Sequence, residues 1–268
     1  MSDPVPSLRD FERPSLAVDL VLLTVADGAL SVLVIRREDP PSAGDWSLPG
    51  GFVQIDESID QTVRRVLRDK ARLPDAFVEQ LYTFGAVDRD PRGRVISVAH
   101  YALVAHERLA AALAASETLA LAQVITPWAG EEGGPSAIRL ASGETRSLAF
   151  DHGEVLGVAV QRLRGKLDYT AVGLELLPDR FPLRALQVVH EAILGRSLTK
   201  PAFRRKMLDR GYLESTGDRE AAGAFRPAEL YRRVARSASH RRETLSVPRQ
   251  SIDEKPHQAQ PFINLLEP

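Results

Sequence analysis

The sequence predicts an α/β fold at the N-terminal end, followed by a smaller unit of helices and a hairpin. Two β-prone runs, residues 16–25 and 30–35, surround a short turn with Asp27-Gly28, which is typical of a β-hairpin. A helix is predicted at residues 57–71, because apolar residues recur there with helical spacing. Two more helices, joined by a short turn, are predicted near the C-terminus. This order of elements favours two units of different architecture.

Length and composition limit the class of protein. The 268 residues favour two domains, and 44% hydrophobic with 26% charged residues exclude a wholly disordered chain. The absence of cysteine excludes disulfides, thiol catalysis and cysteine-ligated metal centres. The longest apolar run, residues 20–25, is too short to cross a membrane, and residues 1–10 lack the features of a signal peptide. We therefore expect a cytoplasmic protein with no membrane partner.

Charge is distributed unevenly along the chain, although the formal net charge is only −1. Residues 162–243 contain 18 basic and 10 acidic side chains, a local charge of +8, and the rest of the chain carries −9. A basic C-terminal part suits a polyanionic partner such as nucleic acid. Solvated arginine-rich helices would produce the same count, so charge alone leaves both interpretations open.

The remaining elements follow from alternation, helical spacing and chain breakers. Three strands and a helix are predicted in the middle of the chain, at residues 81–87, 95–105, 124–128 and 151–167. The two C-terminal helices are expected at residues 183–194 and 200–210. Gly195 is a natural end for the first, and Thr199 is the expected N-cap of the second. Residues 212–231 are expected to form a β-hairpin.

The glycine-rich segment and the helix after it contain the most specific motif. Gly51, five residues, Glu57, seven residues and Arg65 occur in that order, with aliphatic residues at Leu67 and Leu73. Together with the preceding Trp46-Ser47-Leu48-Pro49-Gly50, this spacing resembles the Nudix box. The resemblance implies an α/β/α sandwich around a mixed sheet, in a domain of residues 14–165.

Three positions of the box depart from the family pattern. Nudix hydrolases cleave a diphosphate linked to a nucleoside with the help of a divalent metal ion, usually Mg²⁺, which prefers oxygen ligands. The glutamates that supply those ligands are replaced by Val66, Asp69 and Lys70. Valine cannot ligate a metal, and lysine puts a positive charge where the cation would be. We expect no catalytic residues and no metal site; the alternative is an ADP-ribose hydrolase whose metal is held by Asp69 and a carboxylate outside the box.

The resemblance still implies a nucleotide pocket. Arg36 and Arg37 are placed like basic residues that hold phosphates or riboses, and Trp46 could stack on a ring. Backbone N–H groups at a helix N-terminus after the glycines would bind phosphate. Packing by the tryptophan and solvation of the two arginines remain the alternative. The expected effector contacts are Arg36, Arg37, Trp46, Gly50, Gly51, Phe52 and Glu57.

The C-terminal helices and hairpin predict a winged helix-turn-helix. Phe203 and Met207 are expected to face inward from the second helix, whose basic side chains can enter the major groove. We expect Arg204 to contact a base and Lys206 to contact a phosphate. A dimerisation unit with a solvated basic helix is the alternative. The expected DNA contacts are Lys200, Arg204, Arg205, Lys206, Arg210 and Arg226.

Both halves together resemble the NrtR family of Nudix-related transcriptional regulators of NAD metabolism. Residues 203–207, Gly211 and Arg226-Pro227-Ala228 carry this resemblance in the second half, and Ala149-Phe150-Asp151-His152 carries it at the junction. It implies a homodimeric repressor that binds operator double-stranded DNA upstream of NAD synthesis or salvage genes. ADP-ribose or a related NAD-derived nucleotide would be its effector, with no cofactor required.

The expected organisation is therefore an effector domain, a DNA-binding domain and a tail. Their expected bounds are residues 14–165, 166–236 and 237–268, with the tail loosely ordered. The helix at 151–167 is the expected bridge between the two domains. Besides the hydrolase, a module that recruits a protein partner through its basic domain remains open.

Overall fold

A nine-stranded mixed sheet dominates the residues described by the computed structural model, which are 11–74, 76–220 and 227–234. Its strands are β1 (Ser15–Ala26), β2 (Ala29–Arg36), β3 (Trp46–Ser47), β4 (Gly50–Phe52), β5 (Glu79–Phe84), β6 (Val95–Leu103), β7 (Leu119–Ile125), β8 (Ala137–Arg139) and β9 (Thr145–Arg146). The main path is β5-β6-β1-β2-β7-β8-β9, with β4 on β1 and β3 on β2. Because β1 runs parallel to β6 and antiparallel to β2, the sheet is mixed, as predicted.

Helices cover both faces of this sheet. The five α-helices of the described residues are α1 (Ile59–Asp69), α2 (His106–Ala114), α3 (His152–Leu167), α4 (Leu183–Leu194) and α5 (Lys200–Asp209). Alternate residues of β1 point to opposite faces, as the period of a strand requires. Val18 and Leu20 pack with α1 and α2, whereas Val21 and Leu23 pack with α3 and α4. The predicted α/β/α sandwich is therefore confirmed.

The N-terminal hairpin and the first helix form where the sequence predicts them. Ala26 pairs with Ala29 across a two-residue turn, and both turn residues have positive φ. Helix α1 begins later than predicted, because Ser58 accepts a hydrogen bond from the Gln61 backbone N–H and the Gln61 side chain bonds back to Ser58. Val66 and its neighbours on the predicted stripe are buried.

The C-terminal unit is a winged helix, as predicted. A 3₁₀ helix (Val172–Leu176) and β10 (Phe181–Pro182) precede α4, and β11 (Leu213–Arg219) pairs antiparallel with β12 (Glu229–Arg233). Gly195 adopts the left-handed conformation, with φ of 68°, and ends α4. Phe203 and Met207 of α5 are buried, which confirms that they face inward. The expected tail, residues 237–268, lies outside the described part of the chain.

The two units are joined more extensively than the sequence predicts. Helix α3 is one connection, but α4 of the winged helix also packs on the sheet. Its Val189 and Ile193 are buried in the same hydrophobic cluster as Val155 and Leu163 of α3. The expectation that the helix at 151–167 is the bridge is therefore incomplete, because α4 forms a second connection.

Other elements differ from the prediction in position or were not predicted. Helix α2 is absent from the predicted elements, and β7 begins five residues before the predicted strand at residues 124–128. The predicted strand at 81–87 is observed as β5 and begins two residues earlier. Within the described ranges, no helix is both long enough and apolar enough to cross a membrane.

Candidate functional site

A cavity of about 560 Å³ opens beside β1, β2 and β4 and reaches the start of α3. Cationic side chains dominate its lining, and four acidic residues accompany them. The cations are Arg36, Arg37, Arg65, Lys70, Arg89 and Arg92. The acids are Asp19, Glu38, Asp39 and Asp90. A cavity of this size and charge suits a small anionic ligand.

A buried ion-pair network forms the floor of the cavity. The Arg89 guanidinium donates two hydrogen bonds to the Asp151 carboxylate, at 2.8 and 2.7 Å, and lies 3.3 Å from Asp19. Only 4% of the Arg89 side chain is exposed. Because Asp151 directly precedes α3 and Asp19 belongs to β1, the arginine joins the centre of the sheet to the beginning of that helix.

Asp19 is held in its ionised form by its neighbours. Burial has the largest single effect and raises the pKa of the Asp19 carboxyl, but the interactions with His152, Ser97 and Arg89 together outweigh it. Ser97 acts through a hydrogen bond from its hydroxyl, at 2.6 Å, and Arg89 through its charge. The Asp19 pKa therefore lies at about 2. An ionised carboxylate here keeps Arg89 in place under the cavity.

His152 links the first turn of α3 to the glycine-rich segment. The Leu48 backbone N–H donates to His152 Nδ1 at 3.0 Å. We therefore assign the ring proton to Nε2, which faces Asp19 Oδ1 at 3.4 Å. This arrangement ties β1, the segment before β4 and the beginning of α3 to one point.

Two aromatic rings stand at the cavity beside two arginines. The Arg37 guanidinium lies 4.8 Å from the centre of the Phe150 ring. Arg92 lies 5.3 Å from the Phe52 ring centre and 5.7 Å from that of Phe150, and pairs with Asp90. Phe150 has φ of 56°, an uncommon conformation for a bulky residue and one often found at ligand sites. Rings and guanidinium planes together can bind a planar base.

The structure brings together five of the seven expected effector contacts: Arg36, Arg37, Gly50, Gly51 and Phe52. The other two are placed elsewhere. Trp46 is half-buried against the hydrophobic cluster beneath α3, so it packs against the core. Glu57 accepts two hydrogen bonds from Arg65, both at 2.7 Å, and Arg65 also donates to the Phe52 carbonyl oxygen. Glu57 therefore holds the loop and does not line the cavity.

The expected phosphate site at a helix N-terminus is not formed. Helix α1 begins at Ile59, and the side chain of Ser58 caps it, whereas Gly50 and Gly51 belong to β4. These glycines serve close packing instead. A Cβ atom on Gly50 would lie 2.3 Å from Asp19 Oδ1 and 2.8 Å from the Val18 carbonyl oxygen.

The three altered positions of the box do not form a metal site. Val66 is 1% exposed and packs in the hydrophobic cluster beneath α1 and α2. Asp69 pairs with Arg68 on the surface, and Lys70 Nζ donates to the Gly50 carbonyl oxygen at 2.6 Å. Among the described residues, no group of three His, Cys, Asp or Glu side chains could hold a metal ion. The residues at the box therefore do not fit the Mg²⁺ ion of the Nudix hydrolases.

The second candidate site is the outer face of α5. With about 100° per residue, Arg205 lies roughly opposite the buried pair Phe203 and Met207. Lys200 and Arg205 are exposed, and neither forms an ion pair within the described part of the chain. Arg204 turns toward the wing, where it donates to the Tyr231 hydroxyl at 3.1 Å.

Two of the expected DNA contacts are bound to α3. Lys206 Nζ pairs with the Asp168 carboxylate at 2.8 Å. Arg210 donates to the Leu167 carbonyl oxygen at 2.8 Å and to the Asp168 carbonyl oxygen. These bonds draw both side chains away from the outer face of α5. Arg226, the remaining expected contact, lies outside the described residues.

Sequence reasoning missed the cavity residues that come from distant segments. Arg89 and Arg92 lie in the loop before β6, and Phe150 precedes α3. For Arg89 and Arg92 the local signal is the turn-rich run at residues 88–93, which predicts a loop but no ligand contact, and Phe150 was named only as part of the junction. The basic residues of that run were the available clue.

The comparisons with known proteins agree with this geometry. Residues 13–134 match the NUDIX domain and residues 173–233 match the NrtR DNA-binding winged helix domain. Over 225 residues the chain is 36% identical to the ADPR responsive transcriptional repressor NtrR of Acinetobacter baylyi. The aligned region covers 83% of each of the two chains.

A solved structure and a hydrolase are also similar. NrtR of Shewanella oneidensis, in a complex with a 27mer DNA, is 34% identical with a TM-score of 0.64, covering 82% of this chain and 93% of that one. The ADP-ribose pyrophosphatase of Methanocaldococcus jannaschii is 33% identical over 90 residues, which is 34% of this chain and 51% of the hydrolase. Because the similarity to the repressor extends over both units, the chain belongs to the NrtR family of Nudix-related transcriptional regulators.

Proposed function

We propose that this protein is a transcriptional repressor whose affinity for operator DNA is controlled by ADP-ribose or a related NAD-derived nucleotide. The observation that carries the proposal is the position of α3. Its beginning is tied to the cationic cavity through Asp151 and Arg89, and its end is tied to α5 through Arg210. The same helix thus contacts the cavity and the helix that carries the second candidate site. The 36% identity to an ADPR responsive repressor supports this assignment.

ADP-ribose suits the cavity chemically. Its diphosphate requires cationic donors, which Arg36, Arg37 and Arg92 offer, and its adenine requires a planar surface, which Phe52 and Phe150 offer. The volume of about 560 Å³ is in the range of small-molecule sites. Binding through these side chains requires no cofactor.

The DNA-binding function is assigned to the outer face of α5. We propose that Lys200 and Arg205 contact DNA directly and that Arg204 contacts it at the edge of this face, beside the wing. Arg226 stays a predicted contact. Two such helices in a homodimer would read two half-sites about one helical turn apart, so we propose a homodimer. The target genes are those of NAD synthesis or salvage, and the protein acts on the nucleoid in the cytoplasm.

The two proposed functions are carried by different parts of the chain. Residues 14–165 form the effector domain and residues 166–236 the DNA-binding domain, with the tail at residues 237–268. The C-terminal unit has a hydrophobic cluster of its own, which includes Phe203 and Met207, but its helix α4 also packs with α3 in the cluster of the sheet. The two domains therefore share part of a core.

An ADP-ribose hydrolase is the second candidate function. The similarity to an ADP-ribose pyrophosphatase over 90 residues favours it, but the box residues Val66, Asp69 and Lys70 offer no metal-ligating set. We therefore infer that the protein is not an enzyme. Release of ribose 5-phosphate at roughly 1 s⁻¹ or faster, in the presence of Mg²⁺, would contradict this inference.

The deciding experiment measures the affinity of the full chain for its operator with and without saturating ADP-ribose at one salt concentration. We expect ADP-ribose to weaken binding by roughly 5- to 150-fold, a coupling of about 1–3 kcal/mol. Operator DNA must then weaken ADP-ribose binding by the same factor. Equal affinities would contradict effector control, and tighter binding would make ADP-ribose a corepressor.

A further inference from the structure

Lys70 is the feature of the cavity that neither the fold nor the proposed function explains. It follows the last residue of α1 and replaces a glutamate of the box. Its ammonium group lines the cavity and donates to the Gly50 carbonyl oxygen at 2.6 Å. An ammonium group has three donors, so two remain for a ligand.

The surroundings of this ammonium group are mainly positive. Partial burial lowers the pKa of Lys70, and the charges of Arg37 and Arg65 lower it further. Asp19 and Asp39 oppose this effect. Asp19, however, is already paired with Arg89. Arg65 is likewise paired with Glu57. Lys70 and Arg37, in contrast, form no ion pair within the described residues. An anion that enters here would give both of these cations a partner of opposite charge.

The neighbouring altered positions of the box offer no ligand for a divalent metal ion, which is how the Nudix hydrolases neutralise the charge of a diphosphate. Val66 is buried in the core, and Asp69 is paired with Arg68 outside the cavity. A carbonyl oxygen such as that of Gly50 is a good ligand for a hard cation. Here that oxygen accepts the hydrogen bond of the lysine.

We propose that the Lys70 ammonium group takes the place of the divalent metal ion, so that this cavity binds a nucleoside diphosphate without metal. The inference rests on the proposed function, since it concerns how the same pocket holds its effector. Lysine suits this role because it is a compact point charge, and it supplies donors that the metal-binding glutamates would lack. The predicted property is effector binding that is unaffected by chelators.

The test is calorimetric titration of the full chain with ADP-ribose, once with EDTA and once with Mg²⁺. We expect equal affinities in the two buffers. Lys70→Gln removes a charge-assisted hydrogen bond and should weaken binding roughly 10- to 100-fold in EDTA. Lys70→Arg keeps the charge and should retain most of the affinity. Arg64→Gln is the matched control, because Arg64 is an exposed cation of the same helix outside the cavity.

The outcomes separate this inference from the proposed function. Binding by the unchanged protein only in Mg²⁺ would overturn the inference and leave the proposed function intact. Wild-type affinity of Lys70→Gln in EDTA would do the same. Absence of binding in both buffers would contradict the proposed function itself. Unfolding midpoints of the variants, compared with that of the unchanged chain, report whether a loss of affinity arises from misfolding.

Discussion

Arg210 either contacts DNA, as the sequence predicts, or joins the two units through its bonds to α3. Removal of its charge has different consequences in the two cases. Its guanidinium donates to the carbonyl oxygens of Leu167 and Asp168 at the end of α3, and 15% of the side chain is exposed. Hydrogen bonds from a charged group contribute about 1.5–3 kcal/mol each, and they are not additive. We therefore expect Arg210→Gln to lower the free energy of unfolding by about 2–3 kcal/mol.

The functional effect should appear in the response to ADP-ribose. If the bonds transmit the state of α3, Arg210→Gln will leave the salt dependence of operator binding unchanged but reduce the effect of ADP-ribose on it. The assay is fluorescence anisotropy with labelled operator at several salt concentrations, with and without ADP-ribose. Arg205→Gln is the matched control, since Arg205 is exposed on the outer face of α5. It should lower the salt slope by about 1, or cost about 1–3 kcal/mol if Arg205 contacts a base, without changing the ADP-ribose effect.

The refuting result is equally specific. A salt slope reduced by about 1 in Arg210→Gln, with an unchanged ADP-ribose effect, would mean that Arg210 contacts a phosphate. The coupling role of its bonds to α3 would then be wrong, and the original sequence prediction would stand. Because Arg205→Gln is measured in parallel, a general loss of operator binding cannot imitate either result.

Two further predictions concern the cavity floor and are read by urea unfolding. The Asp19 pKa is lower in the folded state, at about 2, than its ordinary 3.8, so its contribution is present above pH 3.8 and is lost as the pH falls through 2. The free energy of unfolding of Asp19→Asn should therefore be lower than that of the unchanged chain, and the difference should shrink by about 1 kcal/mol from pH 7 to pH 3. A difference that stays constant over this range would refute the prediction. Gly50→Ala should destabilise the fold by about 1–3 kcal/mol or more, because its Cβ would meet Asp19 and Val18. Gly85→Ala, whose Cβ has nothing nearer than 3.9 Å, is its control, and equal losses would refute the argument from steric contact.

Local patterns in the sequence were sufficient for most of the fold. The stripe of α1, the turn of the first hairpin and the glycine after α4 are each determined by neighbouring residues, so spacing predicts them. The inward direction of Phe203 and Met207 follows from the same helical spacing. Helix α2 was missed because its alanine-rich sequence has only Leu109 and Ala112 buried, which gives a weak pattern.

The composition of the cavity could not be predicted in the same way. Arg89 pairs with Asp151, 62 residues away, and with Asp19, 70 residues away. Such contacts depend on how β1, the loop before β6 and the start of α3 meet, and no local spacing encodes them. Trp46 and Glu57 show the opposite error, since both were predicted to contact the effector because they lie near the glycines in sequence. Trp46 packs against the core, and Glu57 binds Arg65.

Helix α3 has the length and the attachments that transmission between the two sites requires. Its 16 residues span about 24 Å, and its middle is fully buried at Ala159 and Val160. If the packed middle resists sliding and acts as a pivot, a tilt of about 5° at the cavity would displace the far end of a helix of this length by about 1 Å. Arg89 at one end and Arg210 at the other make directional hydrogen bonds, which fix orientation better than apolar contacts do. Because two recognition helices must match half-sites about 34–36 Å apart, we expect a displacement of this size in each subunit to weaken operator binding.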